Sequence, residues 1–349
     1  MKEGYFESAK EAPIDEYVTS KSECPAEFLL RLHGIDTSKE KITIPLECGD
    51  KGDSIDFRYL GIGDIINQIG SLNALAVETG KDIAVYIDMD SFPSKYRSLI
   101  NDMAKGCLSD VEYVLKKDER YAENGITPLE GESFEGDPSS RTLLRYSEGE
   151  TAVTKALLLK NGIHFEKPKL IIVPNDKREK PHFTYAPEDW IALLKQVEKI
   201  SDFQVVIMPH FSDTRRDEAI EKFCTDAQID IVNLHEVFLR NQGFQEAQDA
   251  YGESRSELCS YRQFGCLAYV LGDDKSFFVS NDSAPIHLIS ASVKKDDRGV
   301  NLPKVISVNT LIPKRYCPHN GGIAFPSTEN APLTETSRVA KYLNGQIDE

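Results

Sequence analysis

Residues 276–309 read SFFVS, then NDSAPIHLISAS from Asn281 to Ser292, then, after a polar stretch, KVISVN from Lys304 to Asn309. Two β-branched and aromatic runs separated by small polar residues and a helix-compatible segment predict strand, loop, helix and strand. Pro285 suits the first turn of a helix, where its missing N–H costs nothing. The N–H groups of Ser283, Ala284 and Ile286 would then be free to face an anion, and the helix dipole would favour it. This makes the segment a candidate diphosphate cradle. Asp282 is suited to accept hydrogen bonds from a sugar hydroxyl rather than to lie against phosphate. His287 has two readings, a packing residue at a helix start or a ligand contact.

The same alternation extends outward in both directions. Upstream lie the apolar run Leu170 to Val173, a helix opened by Pro187-Glu188-Asp189-Trp190 with a stripe of Ile191, Leu193, Leu194 and Val197, and the strand Gln204 to Met208. A helix over 214–224, a strand over 229–234 and a polar helical stretch to about Tyr269 follow, and the tail 333–343 reads as one more helix. Nearer the start, Ser54 to Leu60 (SIDFRYL) runs through Gly61-Ile62-Gly63-Asp64 into a stripe of Ile65, Ile66, Ile69, Leu72, Leu75 and Ala76. Gly80 ends that helix, and Asp82 to Ile87 is the next strand, a βαβ unit at 54–88. Gly, Pro, Ser and acidic residues fill 124–150 as a long surface loop. The expected fold class is therefore α/β, with two Rossmann-like doubly wound domains. The division is an acidic extension over 1–52 with one strand candidate (Lys41 to Leu46), domains at 53–165 and 166–330, and a helical tail at 331–349.

At 349 residues, 40% hydrophobic and 28% charged, the chain is long enough for two such cores. Its 41 Lys and Arg against 57 Asp and Glu give a net charge of −16, which repels phosphate polymers and anionic lipid surfaces. Nucleic acid is excluded as a first expectation for a partner. No apolar run reaches the ~18–20 residues of a membrane helix, and the opening MKEGYFESAKEAP has no signal-peptide core, so a cytoplasmic protein without integral membrane association is expected. The seven cysteines include no C-x-x-C pair, and buried free thiols rather than a metal site are expected.

In a parallel sheet the chemistry gathers at the carboxyl ends of strands. Gly61 and Gly63 allow a tight turn, and Asp64 either caps the helix that follows or faces a cleft as a general base. The third glycine of a dinucleotide fingerprint is absent, since Ile66 stands there. The loop NDKREK (175–180) places Lys177, Arg178 and Lys180 after a strand, either as a solvated cluster or as a phosphate-neutralising loop. Lys314 and Arg315 belong to the loop 310–320 after KVISVN, and Asp213, after QVVIM, is a possible ribose ligand.

Gly63-Asp64 early in an N-terminal α/β domain, together with Asp282, Ser283, Ala284, His287 and Leu288 in the pattern D-[ST]-[GA]-x-x-H-[LI]-x-A-A, resembles the heptosyltransferase-like family of glycosyltransferases. The Pro-Glu-x-Trp segment agrees, and the resemblance covers about residues 54–345. It implies a GT-B fold, two domains facing a cleft, and metal-independent, inverting transfer of a heptose or related hexose from a nucleotide diphosphate donor, ADP-sugar favoured, to a glycan hydroxyl. No separate cofactor is implied. By the same resemblance Asp64 would be the base, and Asp282, Ser283 and Ala284 would hold the donor. One departure is that Thr184 stands where the family often carries a lysine before Pro-Glu-x-Trp. Another is the acidic surface, which favours a soluble or protein-linked acceptor over a lipid core. A GT-B-fold sugar-nucleotide epimerase and a non-catalytic nucleotide-sugar-binding protein are the alternatives. Oligomeric state is not legible in these residues.

Overall fold

The computed structural model describes residues 41–46, 82–87, 111–114, 144–174, 184–210, 215–243, 245–248, 254–281, 283–296, 300–310, 322–326 and 332–346. In chain order these form strands β1 (Lys41–Leu46), β2 (Asp82–Ile87) and β3 (Val111–Val114), then helix α1 (Glu148–Lys160). Strand β4 (Lys169–Val173), helix α2 (Pro187–Gln196), strand β5 (Gln204–Ile207), helix α3 (Asp217–Asp226), strand β6 (Ile231–Asn233) and helix α4 (Leu234–Gln242) follow. The remainder is β7 (Gln245–Gln248), β8 (Ser254–Glu257), α5 (Tyr261–Leu271), β9 (Phe277–Asn281), α6 (Ala284–Ser292), β10 (Lys304–Thr310), β11 (Ile323–Pro326) and α7 (Pro332–Leu343).

Six strands make one sheet in the order β11-β10-β9-β4-β5-β6, every pairing parallel. Counted from β4, this is 6-5-4-1-2-3, the doubly wound order of dinucleotide-binding domains, with its reversal between β4 and β9. Alternate residues explain why LIIV is apolar without a break. Ile171 and Val173 join one core with Val206, Phe278 and residues of α1, α4, α5 and α6, while Leu170 and Ile172 join another with Val205, Val279, Trp190 and residues of α3 and α7. A parallel strand covered on both faces has no polar side to show. Each fully buried Leu, Ile or Val contributes about 1.5–3 kcal/mol, so covering both faces is what holds the sheet together.

Among the boundaries that differ from expectation, two have local reasons. Strand β9 begins at Phe277 because the Ser276 hydroxyl donates to Leu271 O and to Asp273, keeping Ser276 in the preceding turn. The strand ends on Asn281. Strand β6 stops at Asn233, whose Oδ1 accepts the Glu236 N–H at 3.3 Å and starts α4. The polar stretch after α4 contains an antiparallel pair, β7 with β8, where a helix was expected. Helix α6 is buried along nearly its whole circumference, with Pro285 through Ser292 all inaccessible.

The three N-terminal strands form a second parallel sheet in the order β1-β2-β3, with Lys41 through Leu46 opposite Asp82 through Ile87. The stretch read as an extension thus contributes a strand, and among the described residues β2 has its two sheet neighbours in β1 and β3. Residues 54–80, read as strand and helix, lie outside the described residues. Helix α1 packs on α5, and Leu158 belongs to the C-terminal core. Among the described residues no helix is long and apolar enough to cross a membrane.

Candidate functional site

The strand order reverses between β4 and β9, and sheets of this kind bind ligands outside the carboxyl ends of their strands at that point. Asn281, the last residue of β9, is 1% exposed, and its Oδ1 accepts the backbone N–H of Tyr185 at 2.9 Å. Residues 184–186 lead from the β4 side into α2, so this bond carries the Asn281 carboxamide across the reversal. Its Nδ2 is buried and has no hydrogen-bond partner. The Tyr185 carbonyl accepts from Arg216 Nη1 at 3.2 Å, and its ring meets Trp190 edge-on at 5.1 Å. Thr184 is buried beside them at 4% exposure.

Two residues beyond Asn281, Ser283 is the N-cap of α6 but makes no side-chain cap; its hydroxyl instead donates to Asn281 O at 3.3 Å. The Ile286 N–H is taken by Ser283 O at 3.1 Å. Of the three N–H groups expected to be free, that one is occupied, and Pro285 has none. The N–H groups of Ser283 and Ala284 take no partner among the described residues, so two donors remain at the positive end of the α6 dipole. His287, fourth in α6, is buried at 3%.

Next to this lies a polar network at the ends of β5 and β6. The His210 N–H donates to His235 Nδ1 at 3.2 Å, which puts the imidazole proton on Nε2, a buried atom without a partner. Burial outweighs the attraction of nearby Asp217 and pushes the His235 pKa below the ordinary imidazole value. Asn233 Nδ2 donates to Asp217 at 2.9 Å and to Glu221 at 2.6 Å, and Arg215 pairs with Glu218 at 3.0 Å and with Glu236.

Of the residues expected at the site, Thr184 lies just before α2, Ser283 and Ala284 begin α6, and His287 is buried within that helix. Asp64, Gly61, Gly63, Lys177, Arg178, Lys180, Asp213, Asp282, Lys314 and Arg315 lie outside the described residues. Asn281, Tyr185 and Arg216 escaped the sequence reading. A carboxamide closing an apolar strand was the available signal for the first, whereas nothing in sequence ties Arg216 to Tyr185. Among the described residues no three His, Cys, Asp or Glu side chains converge as metal ligands.

No protein-family model and no curated protein matches this sequence. Solved structures similar to it include Escherichia coli ADP-heptose LPS heptosyltransferase II, 18% identical over 80% of this chain and 81% of that one, with a TM-score of 0.38. A glycosyl transferase family 9 structure from Veillonella parvula is 10% identical over 87% of this chain and 92% of that one, at 0.45. E. coli heptosyltransferase WaaC with ADP is 10% identical over 88% and 99%, at 0.41. Likeness at TM-scores under 0.5 leaves function to be argued from this chain's own residues.

Proposed function

We propose that the protein is a glycosyltransferase that moves a heptose or related hexose from a nucleotide diphosphate, preferably an ADP-sugar, to a glycan hydroxyl. The observation that carries this reading lies at the strand-order reversal, where the carboxamide nitrogen of Asn281 is buried without a partner and the half-buried Ser283 and Ala284 begin α6 with N–H groups that take no partner among the described residues. Such donors suit a diphosphate, whose oxygens only accept. The D-S-A-x-x-H pattern, running from Asp282 through His287, brings the sugar-binding carboxylate expected of the heptosyltransferase-like family to the same loop.

In this mechanism Asp64 takes the proton of the acceptor hydroxyl as its oxygen attacks the anomeric carbon. The bond from that carbon to the β-phosphate oxygen breaks on the opposite face, which inverts the configuration. The electron pair leaves with the nucleoside diphosphate. Its charge is met by the Ser283 and Ala284 N–H groups, by the α6 dipole and by the cations at Lys177, Arg178 and Lys180, so the step needs no metal. Asp282 holds sugar hydroxyls, and the closing of two domains excludes water as a competing acceptor. Work on glycan precursors would place the protein in the cytoplasm.

Asp64→Asn tests the chemical step. Loss of the base lowers turnover about 10²–10⁴-fold while nucleotide binding persists. Unchanged donor consumption would remove Asp64 from the mechanism, and donor conversion without any acceptor would favour an epimerase.

A further inference from the structure

We infer that Asn281 is a donor-binding residue whose Nδ2 donates to an oxygen of the nucleotide diphosphate. The inference rests on the reading above but adds a contact that the D-S-A-x-x-H pattern does not contain. A carboxamide has one acceptor oxygen and a nitrogen with two hydrogens to donate. In Asn281 the oxygen is spent on the Tyr185 N–H at 2.9 Å, while the nitrogen is buried without a partner in a side chain only 1% exposed. An unmade bond at a buried amide is costly, and proteins keep such groups mainly where something else completes them.

The location says what completes it. The oxygen's bond to residue 185 holds the carboxamide between β9 and the segment entering α2, over the strand-order reversal. Two residues further on, the free N–H groups of Ser283 and Ala284 begin α6. These three donors come from one turn of chain, which also holds Asp282, the carboxylate assigned above to sugar hydroxyls rather than to phosphate. The ligand they match is rich in acceptor oxygens and anionic. The neighbouring hydroxyls do not compete, because Ser280 Oγ and Ser283 Oγ both donate to Asn281 O. That pair also fixes the backbone from which the carboxamide projects. Asn281 therefore performs two tasks at once. Its oxygen orders the strap at Thr184 and Tyr185, and its nitrogen binds phosphate.

Two substitutions separate the tasks. Asn281→Asp keeps an oxygen for the Tyr185 N–H but exchanges the donor for a negatively charged acceptor; Asn281→Ala removes both. Isothermal titration with ADP and with inorganic pyrophosphate, on protein whose folding is checked by circular dichroism, reads the difference. Loss of a hydrogen bond to a charged group predicts about tenfold weaker binding for Asn281→Ala. Added repulsion predicts about 100-fold or more for Asn281→Asp. If Asn281→Asp binds both ligands like wild type while Asn281→Ala does not, the residue only positions Tyr185 and the inference fails. Wild-type binding in both variants overturns it as well, leaving the donor reading intact. Failure of the wild type to bind ADP, GDP, UDP, CMP or pyrophosphate overturns the donor reading and this contact with it.

Discussion

The two edges of the C-terminal sheet treat buried polar atoms in opposite ways. At the amino edge they are satisfied. Lys169 is wholly inaccessible, yet its Nζ reaches Phe165 O at 3.4 Å, Lys167 O at 3.1 Å and Asp273 at 3.4 Å. Gln204 uses both ends of its amide, accepting from the His164 N–H and donating to Gly162 O and Asp230. At the carboxyl edge Asn281 Nδ2, Trp190 Nε1 and His235 Nε2 are buried and unsatisfied. The desolvation of an unpaired polar group costs about 1–3 kcal/mol, so the amino edge contributes to stability where the carboxyl edge loses some, a loss that the proposed donor would offset on binding.

That contrast predicts that substitutions at the two edges have different consequences. The largest effect on stability should follow Asp273→Ala, which leaves the buried Lys169 ammonium facing only carbonyls. Removing this partly exposed partner of a buried ammonium should cost about 1–3 kcal/mol, measured by urea denaturation, and ADP affinity should not change. If nucleotide affinity fell with stability, the edges would not be separable. Asp282→Ala should do the reverse. Protection by a nucleotide sugar in a thermal melt should weaken by about tenfold in apparent affinity, with the melting temperature of the free protein nearly constant. An undiminished shift would take Asp282 out of the donor site.

The smallest effect is a pH dependence of the carboxyl edge. Burial holds the folded pKa of His235 below its ordinary value of 6.5, so the unfolded chain binds the proton more readily. The contribution of the neutral imidazole to stability is complete above pH 6.5 and is lost as pH falls toward the folded pKa. His235→Gln should flatten the stability profile below pH 6.5, and an unaltered slope in chemical denaturation would assign it to other groups.

Much of this was legible in the chain. The runs LIIV, QVVIM and KVISVN announce strands covered on both sides, and Pro187-Glu188-Asp189-Trp190 announces a helix start, because those signals are local. The hairpin of QEAQ with SRSE has no apolar alternation to read, and IAFP is too short to separate from a loop. Lys169 reads as a polar flank of LIIV, since its burial depends on Asp273, 104 residues away. Asn281 hides for the same reason. Inside NDSAPIH it reads as one more loop residue, and only its bond to Tyr185 across the reversal shows a carboxamide with one end in use.

On the proposed function the carboxyl edge binds a nucleoside diphosphate. Thermal melting of the wild-type chain with millimolar ADP, GDP, UDP and CMP tests it most directly. A concentration-dependent rise with ADP is expected, about 2.7 kcal/mol of added stability at a hundredfold excess over the dissociation constant. No rise with any of the four would contradict it.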